Sequence, residues 1–287
     1  MNGIINFLKP PGMSSNAAVV WLRRQLNVKK IGHAGTLDPG ACGVLPICVG
    51  KATHISSFMM DAKKEYVAEV SFGRSTDTGD SYGTVTETSS AALPTDTAVM
   101  NALMQFQGQV TQQTPAYSAA KVEGRKRYEL ARSGKPVPPH QRVIQINEIE
   151  YLGRTREDAH RFRVVCGKGT YIRALCEDIG QALNTCAYMS FLARTQCAGL
   201  IISQAITPEA LRGDALHALL PMEHFLGNMP RVDAPPEQRE RLFHGVAIPT
   251  ELPDIEKACI FAGEELIGIG CVLDGKAKID TRLVDGE

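Results

Sequence analysis

Eight cysteines are present in the 287 residues, but no two are spaced as C-x-x-C. None of the seven histidines falls in an H-E-x-x-H or C-x-x-C-H pattern either. That spacing argues against a zinc or haem site, and the cysteines read as reduced, small apolar residues suited to a reducing cytosol. Long apolar runs are also missing. No stretch approaches the roughly 20 residues of a bilayer-spanning helix. The apolar stretch at 3–8, closed by Lys9, Pro10 and Pro11, is too short for the core of a signal peptide. A soluble cytoplasmic protein without membrane contact is expected. No phosphate-cradling loop is found: Pro46 lies between Gly43 and Gly50, Lys51 is followed by Ala52, and no G-x-G-x-x-G follows a predicted strand. Nucleotide cofactors are therefore not expected.

Net charge is absent too, with 31 basic and 31 acidic side chains, which taken alone disfavours a general polyanion binder. The distribution points the other way. From residue 232 onward there are 12 acidic and 6 basic residues, a net −6, so residues 1–231 carry a net +6. The first 37 residues hold Lys9, Arg23, Arg24, Lys29 and Lys30 and no carboxylate; Asp38 is the first acid in the chain. A second basic cluster at 121–142 sets Lys121, Arg125, Lys126, Arg127, Arg132, Lys135 and Arg142 against Glu123 and Glu129. Clustered cations attract a phosphate backbone by counterion release, although each cluster alone also fits a solvated face.

Periodicity predicts a strand over 2–8 and then a helix to about residue 26. Ser14 or Ser15 is its N-cap, with Val19, Leu22 and Leu26 on one face. Residues 31–43 (IGHAGTLDPGACG) read as a loop, 44–49 as an apolar run, 51–60 as a helix and 63–72 as a strand. Residues 74–83 are turn-rich, and a helix near 95–106 follows Pro94. The segment 111–142 reads as a long excursion with a short helix near 125–133; such long loops in compact domains are usually functional. Strands at 143–152 and 161–166, a helix at 170–183 and a strand over 187–202 follow. Residues 230–236 read as a linker to a small β-rich appendage with strands at 246–249, 256–262, 265–273 and 276–283.

One loop stands out chemically. GHAGTLDPGACG (residues 32–43) holds a single carboxylate, Asp38, beside His33 and among basic neighbours, and Leu37, Val44 and Leu45 anchor it to the core. On its own an Asp-Pro pair in such a loop is a turn former. The string GHAGTLDPGACGVLPICVGKAT, however, strongly resembles the catalytic motif of the TruB-type tRNA pseudouridine synthases, the pseudouridine-55 synthases. LKPPGMSSN (8–16), KEYVA (64–68), RSTDTGD (74–80), PAYSAAK (115–121) with GRKRYELAR (124–132), and GKGTYIR (167–173) resemble further motifs of that family, in its order, over about residues 2–200. The tail resembles a small RNA-binding PUA domain more weakly, through HGVA (244–247), IGIG (267–270) and TRLV (281–284).

The resemblance implies an α+β fold: a catalytic domain over 1–230 on a mixed, mainly antiparallel sheet flanked by helices, and a PUA-like domain over 231–287. It implies an enzyme that everts a uridine of the T loop of tRNA and isomerises it, with Asp38 as the catalytic carboxylate. Nothing is oxidised and no group is carried in, so neither metal nor cofactor is expected. Arg173 would hold Asp38 charged. A cation in the first turn of a predicted helix opposes the helix dipole by about a few tenths of a kcal/mol, and so calls for a partner anion. By position alone a phosphate contact or a surface arginine fits as well. Tyr66 and Tyr171 would pack on the uracil, Leu192 would line the base pocket, and His33 would stack in the T loop where the base departs. Lys9 and the 121–142 cluster would contact the RNA backbone, with an insertion over about 111–142 gripping the T-arm. The partner is the T-arm stem–loop of tRNA, and a monomer is expected.

Three rival readings stay open. A non-catalytic RNA-binding or tRNA-folding protein would share the basic clusters but not need Asp38, Tyr66 and Arg173 together. A guide-RNA-dependent synthase acting on ribosomal RNA would carry a larger PUA domain and often basic tails, whereas this tail is short and acidic. A glycosylase would release free base.

Overall fold

The computed structural model describes residues 1–287 except 119, 123, 214–217, 228 and 286–287; the side chain of Lys121 is likewise not described. Of the basic cluster read above, Glu123 and the Lys121 side chain therefore lie outside the described residues.

The helix Ser15–Leu26 starts where Ser14 Oγ accepts the amide of Ala17 and ends at Asn27 in the left-handed region. Its buried face is Ala18, Val19, Leu22 and Leu26. It packs on a sheet whose main path runs Gly3–Lys9, Cys42–Val49, Ala187–Cys197, Lys64–Phe72, Ala159–Cys166, Gln141–Arg156 and Gly108–Gln113. Neighbours pair antiparallel except Ala187–Cys197 with Cys42–Val49, which run parallel through Ala193–Cys42 and Arg194–Gly43. The helix Ile172–Ala182 buries Ile172, Leu175, Cys176 and Ile179, and these join Phe7, Leu45, Val70 and Phe162 in one core. The fold is α+β, with a mixed and mainly antiparallel sheet flanked by helices and a second, five-stranded sheet near the C-terminus.

Several boundaries differ from the sequence expectation. The expected loop at 31–43 begins as a strand, Ile31–His33, which pairs along the edge of Cys42–Val49. The expected strand over 187–202 breaks at Ala198 and Gly199, both at positive φ, and turns back as Leu200–Ile201. The hairpin Gln141–Arg156 with Ala159–Cys166 outruns its apolar pattern because its start pairs with Gly108–Gln113. The stretch at 230–236 is not a linker. Arg231–Ala234 pairs in parallel with Ile255–Ala262, and Val232 and Ala234 are buried. Its prolines lie outside the strand, where no ladder N–H is required. A second core joins Ile4, Cys48, Ile55 and Met222 of the first sheet's region to Phe261, Leu266, Ile269 and Leu283 of the second.

Candidate active site

The loop that carries Asp38 is held from below by three side chains. Ser15 Oγ accepts the amide of Leu37 at 2.8 Å and donates to its carbonyl at 2.9 Å. Lys9 has no exposed surface; its ammonium donates to the carbonyls of Met13 (2.7 Å), Pro10 (2.9 Å) and Pro39 (3.3 Å). Burial lowers the Lys9 amine to about 8. Arg194, also buried, donates to the carbonyls of Val44 (2.7 Å), Gly35 (3.1 Å) and Thr36 (3.3 Å). Gly43 closes the loop at φ +108, and a Cβ there would stand 2.2 Å from the Arg194 carbonyl oxygen. Two cations thus fix the backbone around Asp38 without pairing with its carboxylate.

The carboxylate partner comes from the helix Ile172–Ala182. Arg173 Nε donates to Asp38 Oδ2 at 2.9 Å, Nη1 to the Thr78 carbonyl at 2.8 Å and Nη2 to the Tyr117 carbonyl at 2.8 Å. Asp80 Oδ2 lies 4.0 Å from Nε, and its other oxygen accepts from Thr78 Oγ1 and the Tyr82 amide. One guanidinium therefore ties the Asp38 loop, the turn at 74–83 and the segment at 115–121 together. The side chain of Arg173 is 6% exposed, whereas that of Asp38 is 35% exposed and lines a cleft with Asp80, Tyr82, Phe191 and Leu192. A charged oxygen pair oriented by a buried fork-shaped donor, yet open on one side, can act as a base or a nucleophile toward a group placed in that cleft.

The other expected residues divide. Leu192 is buried and lines the cleft with Asp38. Tyr66 is buried in the core near Arg194, and burial pushes its phenol up to about 12. His33 sits at the end of the edge strand Ile31–His33 with Nδ1 buried and unpaired. Burial, then the Arg194 charge, lowers its pKa, so the ring is neutral near pH 7. Tyr171 precedes the helix; Gln112 grips its backbone at both N–H (2.8 Å) and C=O (3.0 Å), and its ring lies 5.5 Å from the Arg142 guanidinium.

Two expectations need correction. Lys9 cannot reach an RNA phosphate, because its ammonium is enclosed by three carbonyls; it positions the loop instead. Arg127 of the 121–142 cluster turns inward and donates to the carbonyls of Thr114, Pro115 and Pro138, leaving Arg125, Lys126, Arg132 and Lys135 exposed there. The sequence reading missed Arg194 and the part played by Asp80. An arginine directly after the apolar residues Phe191, Leu192 and Ala193 in a central strand was the available signal for the first. The second lay within RSTDTGD, whose two acids look alike in sequence.

Among the described residues no group of three or more His, Cys, Asp and Glu side chains is placed to hold a metal ion, and no helix is long and apolar enough to cross a membrane.

The family model described as TruB family pseudouridylate synthase (N terminal domain) matches residues 23–172. The tRNA pseudouridine synthase B of Alkaliphilus oremlandii is 40% identical over 281 residues, covering 95% of this chain and 93% of that protein. That of Streptococcus pneumoniae is 42% identical over 278 residues, covering 94% and 95%. Among solved structures, a Cbf5-Nop10-Gar1 complex contains a chain that superposes with a TM-score of 0.74 at 26% identity, over 98% of this chain and 85% of that one.

Proposed function

The chain belongs to the TruB family of pseudouridylate synthases, and on that premise we propose that it isomerises a T-loop uridine of tRNA to pseudouridine with Asp38 as the catalytic carboxylate. It is an enzyme of the isomerase class. The reaction breaks the C1′–N1 bond, turns the uracil and forms C1′–C5; C5 loses its proton and N1 gains one, so atoms and electrons balance without an added reactant. Asp38 acts on the ribose, by adding to C1′ or by removing the C2′ proton. The observation that carries this reading is the 2.9 Å contact from buried Arg173 to a carboxylate that remains a third exposed in a cleft.

The everted base enters that cleft. Unstacking it costs a few kcal/mol, offset by apolar contact with Leu192 and by packing near Tyr66. Tyr171 packs on the same base, and His33 occupies the gap it leaves in the loop. The exposed cations Arg125, Lys126, Arg132 and Lys135 grip the phosphates of the T-arm, giving register rather than base readout. Residues 1–230 form the catalytic domain, and 231–287 a PUA-like domain whose net −5 limits its share of phosphate contact. The protein works as a monomer in the cytoplasm, where tRNA is found. Likeness to the Cbf5-Nop10-Gar1 complex raises the guide-RNA reading, but relatives at 40–42% identity named tRNA pseudouridine synthase B favour tRNA.

The test is incubation with an unmodified tRNA transcript followed by nucleoside mass spectrometry. Pseudouridine should appear at the T-loop uridine and vanish when that uridine is replaced by cytidine. Free uracil with an abasic site would instead mark a glycosylase, and binding without any product a tRNA-folding protein.

A further inference from the structure

Two large aromatic side chains stay exposed where the function as described leaves them unused. Tyr82 is 70% and Phe191 39% exposed, and both line the Asp38 cleft. The chain places them on two neighbouring segments. Ser81 Oγ donates to the Ser190 carbonyl at 3.0 Å, and the Met189 amide donates to the Gly79 carbonyl at 3.0 Å. Residues 79–81 therefore run along 189 and 190, and each aromatic is the next residue on its own segment. A register shift between Met189 and Phe191 bends that strand; bulges next to active sites commonly re-aim a side chain. The Tyr82 ring rests on Gly40 of the catalytic loop, where a Cβ would come within 2.1 Å of its Cε2. The loop thus has room for the ring only because residue 40 lacks a side chain. Phe191 has the Arg161 guanidinium 5.5 Å from its ring centroid. Glu69 holds that guanidinium at 3.3 Å and also accepts from Ser190 Oγ at 2.8 Å.

We propose that Tyr82 and Phe191 form a two-sided stacking platform at the mouth of the Asp38 cleft for the unpaired bases that flank the everted uridine. This rests on the functional reading above and adds the residues that position the loop RNA. Every nucleobase offers a π face to such a platform, so its selectivity is for single-stranded RNA rather than for a sequence. Arg161 adds a cation beside Phe191, favouring a nucleic acid over a neutral apolar ligand. Neither aromatic touches the reacting atoms; both are positioning residues.

The test compares wild type with Tyr82→Ala, Phe191→Ala, Tyr82→Phe and Phe191→Tyr on a T-arm stem–loop. The same stem–loop lacking the bases beside the target uridine is run in parallel. Each alanine should raise KM about 5- to 30-fold with kcat within about twofold, and the aromatic replacements should restore KM. Removing the flanking bases should weaken wild type by a similar factor and the alanine variants little further. Dissociation constants for both RNAs are measured alongside, which decides the inference even if the wild type forms no pseudouridine; that outcome counts against the functional reading alone. The inference is overturned if both alanine variants keep KM and Kd within twofold of wild type. It is also overturned if kcat falls while KM holds, or if Tyr82→Phe is as defective as Tyr82→Ala, since either marks a merely structural role.

Discussion

Replacing Arg173 with lysine keeps a positive charge beside Asp38 but removes the fork that distributes it. Three nitrogens of the arginine serve three acceptors on separate segments: Asp38 at 2.9 Å, and the carbonyls of Thr78 and Tyr117 at 2.8 Å each. A lysine ammonium is a single point on a flexible stem and cannot span all three. If it follows the carboxylate, two carbonyls lose a charged donor, at about 1.5 kcal/mol apiece on the low side for partly buried groups. The expected loss of stability is therefore about 3 kcal/mol, or roughly 6–12 °C in melting temperature for a chain of this size. Catalysis should suffer separately. A carboxylate no longer fixed by a planar donor loses orientation and charge stabilisation, and removing one such preorganised contact typically costs about 100- to 1,000-fold in kcat. Because the Arg173 side chain is only 6% exposed, KM should stay within about threefold. Thermal melts and single-turnover pseudouridine formation on one tRNA transcript read both effects. A kcat within tenfold of wild type, together with the expected drop in melting temperature, would show Arg173 to be a structural pin and refute its pairing role in catalysis.

Lys9 gives a pH signature. Its amine titrates at about 8 in the folded chain against an ordinary 10.5, so between those values the unfolded state binds more protons. The burial cost is then fully present below about 8 and is relieved as pH rises toward 10.5. Wild type should gain about 2 kcal/mol of stability relative to Lys9→Met between pH 7 and pH 9.5, measured by urea unfolding; a pH-independent difference contradicts the enclosed ammonium. Gly43→Ala combines φ +108 with a Cβ 2.2 Å from a backbone oxygen, whereas Gly153→Ala, at φ +119, meets nothing within 4 Å. The first should unfold or lose well over 10 °C, and the second should lose about 1–3 kcal/mol of stability from strain alone; similar melting temperatures would mean the loop can move away from Arg194.

Much of the fold could be read from the chain because its signals are local. Ser14 before an amphipathic run marks the helix Ser15–Leu26, and alternation marks Lys64–Phe72. What escaped is set by partners distant in sequence. Arg231–Ala234 looks like a linker until Ile255–Ala262 supplies its ladder, and Ile31–His33 looks like loop until Cys42–Val49 lies beside it. The candidate site shows the same division. Asp38 and Arg173 were legible through motifs, yet nothing local says that Lys9 points into the protein or that Arg194 braces the loop, because both orientations depend on carbonyls presented by other segments. Tyr82 and Phe191 are one step further removed, since hydrogen bonds between segments distant in sequence, Ser81–Ser190 and Met189–Gly79, make them neighbours.

The most direct test of the account changes one atom. Asp38→Asn preserves the shape of the side chain and an oxygen for Arg173 but removes the charge. Binding of a T-arm stem–loop should remain within about threefold of wild type, because phosphate contacts carry most of the affinity. Pseudouridine formation should fall below detection under single-turnover conditions. Continued turnover by this variant at a measurable fraction of the wild-type rate would contradict the assignment of Asp38 as the catalytic carboxylate.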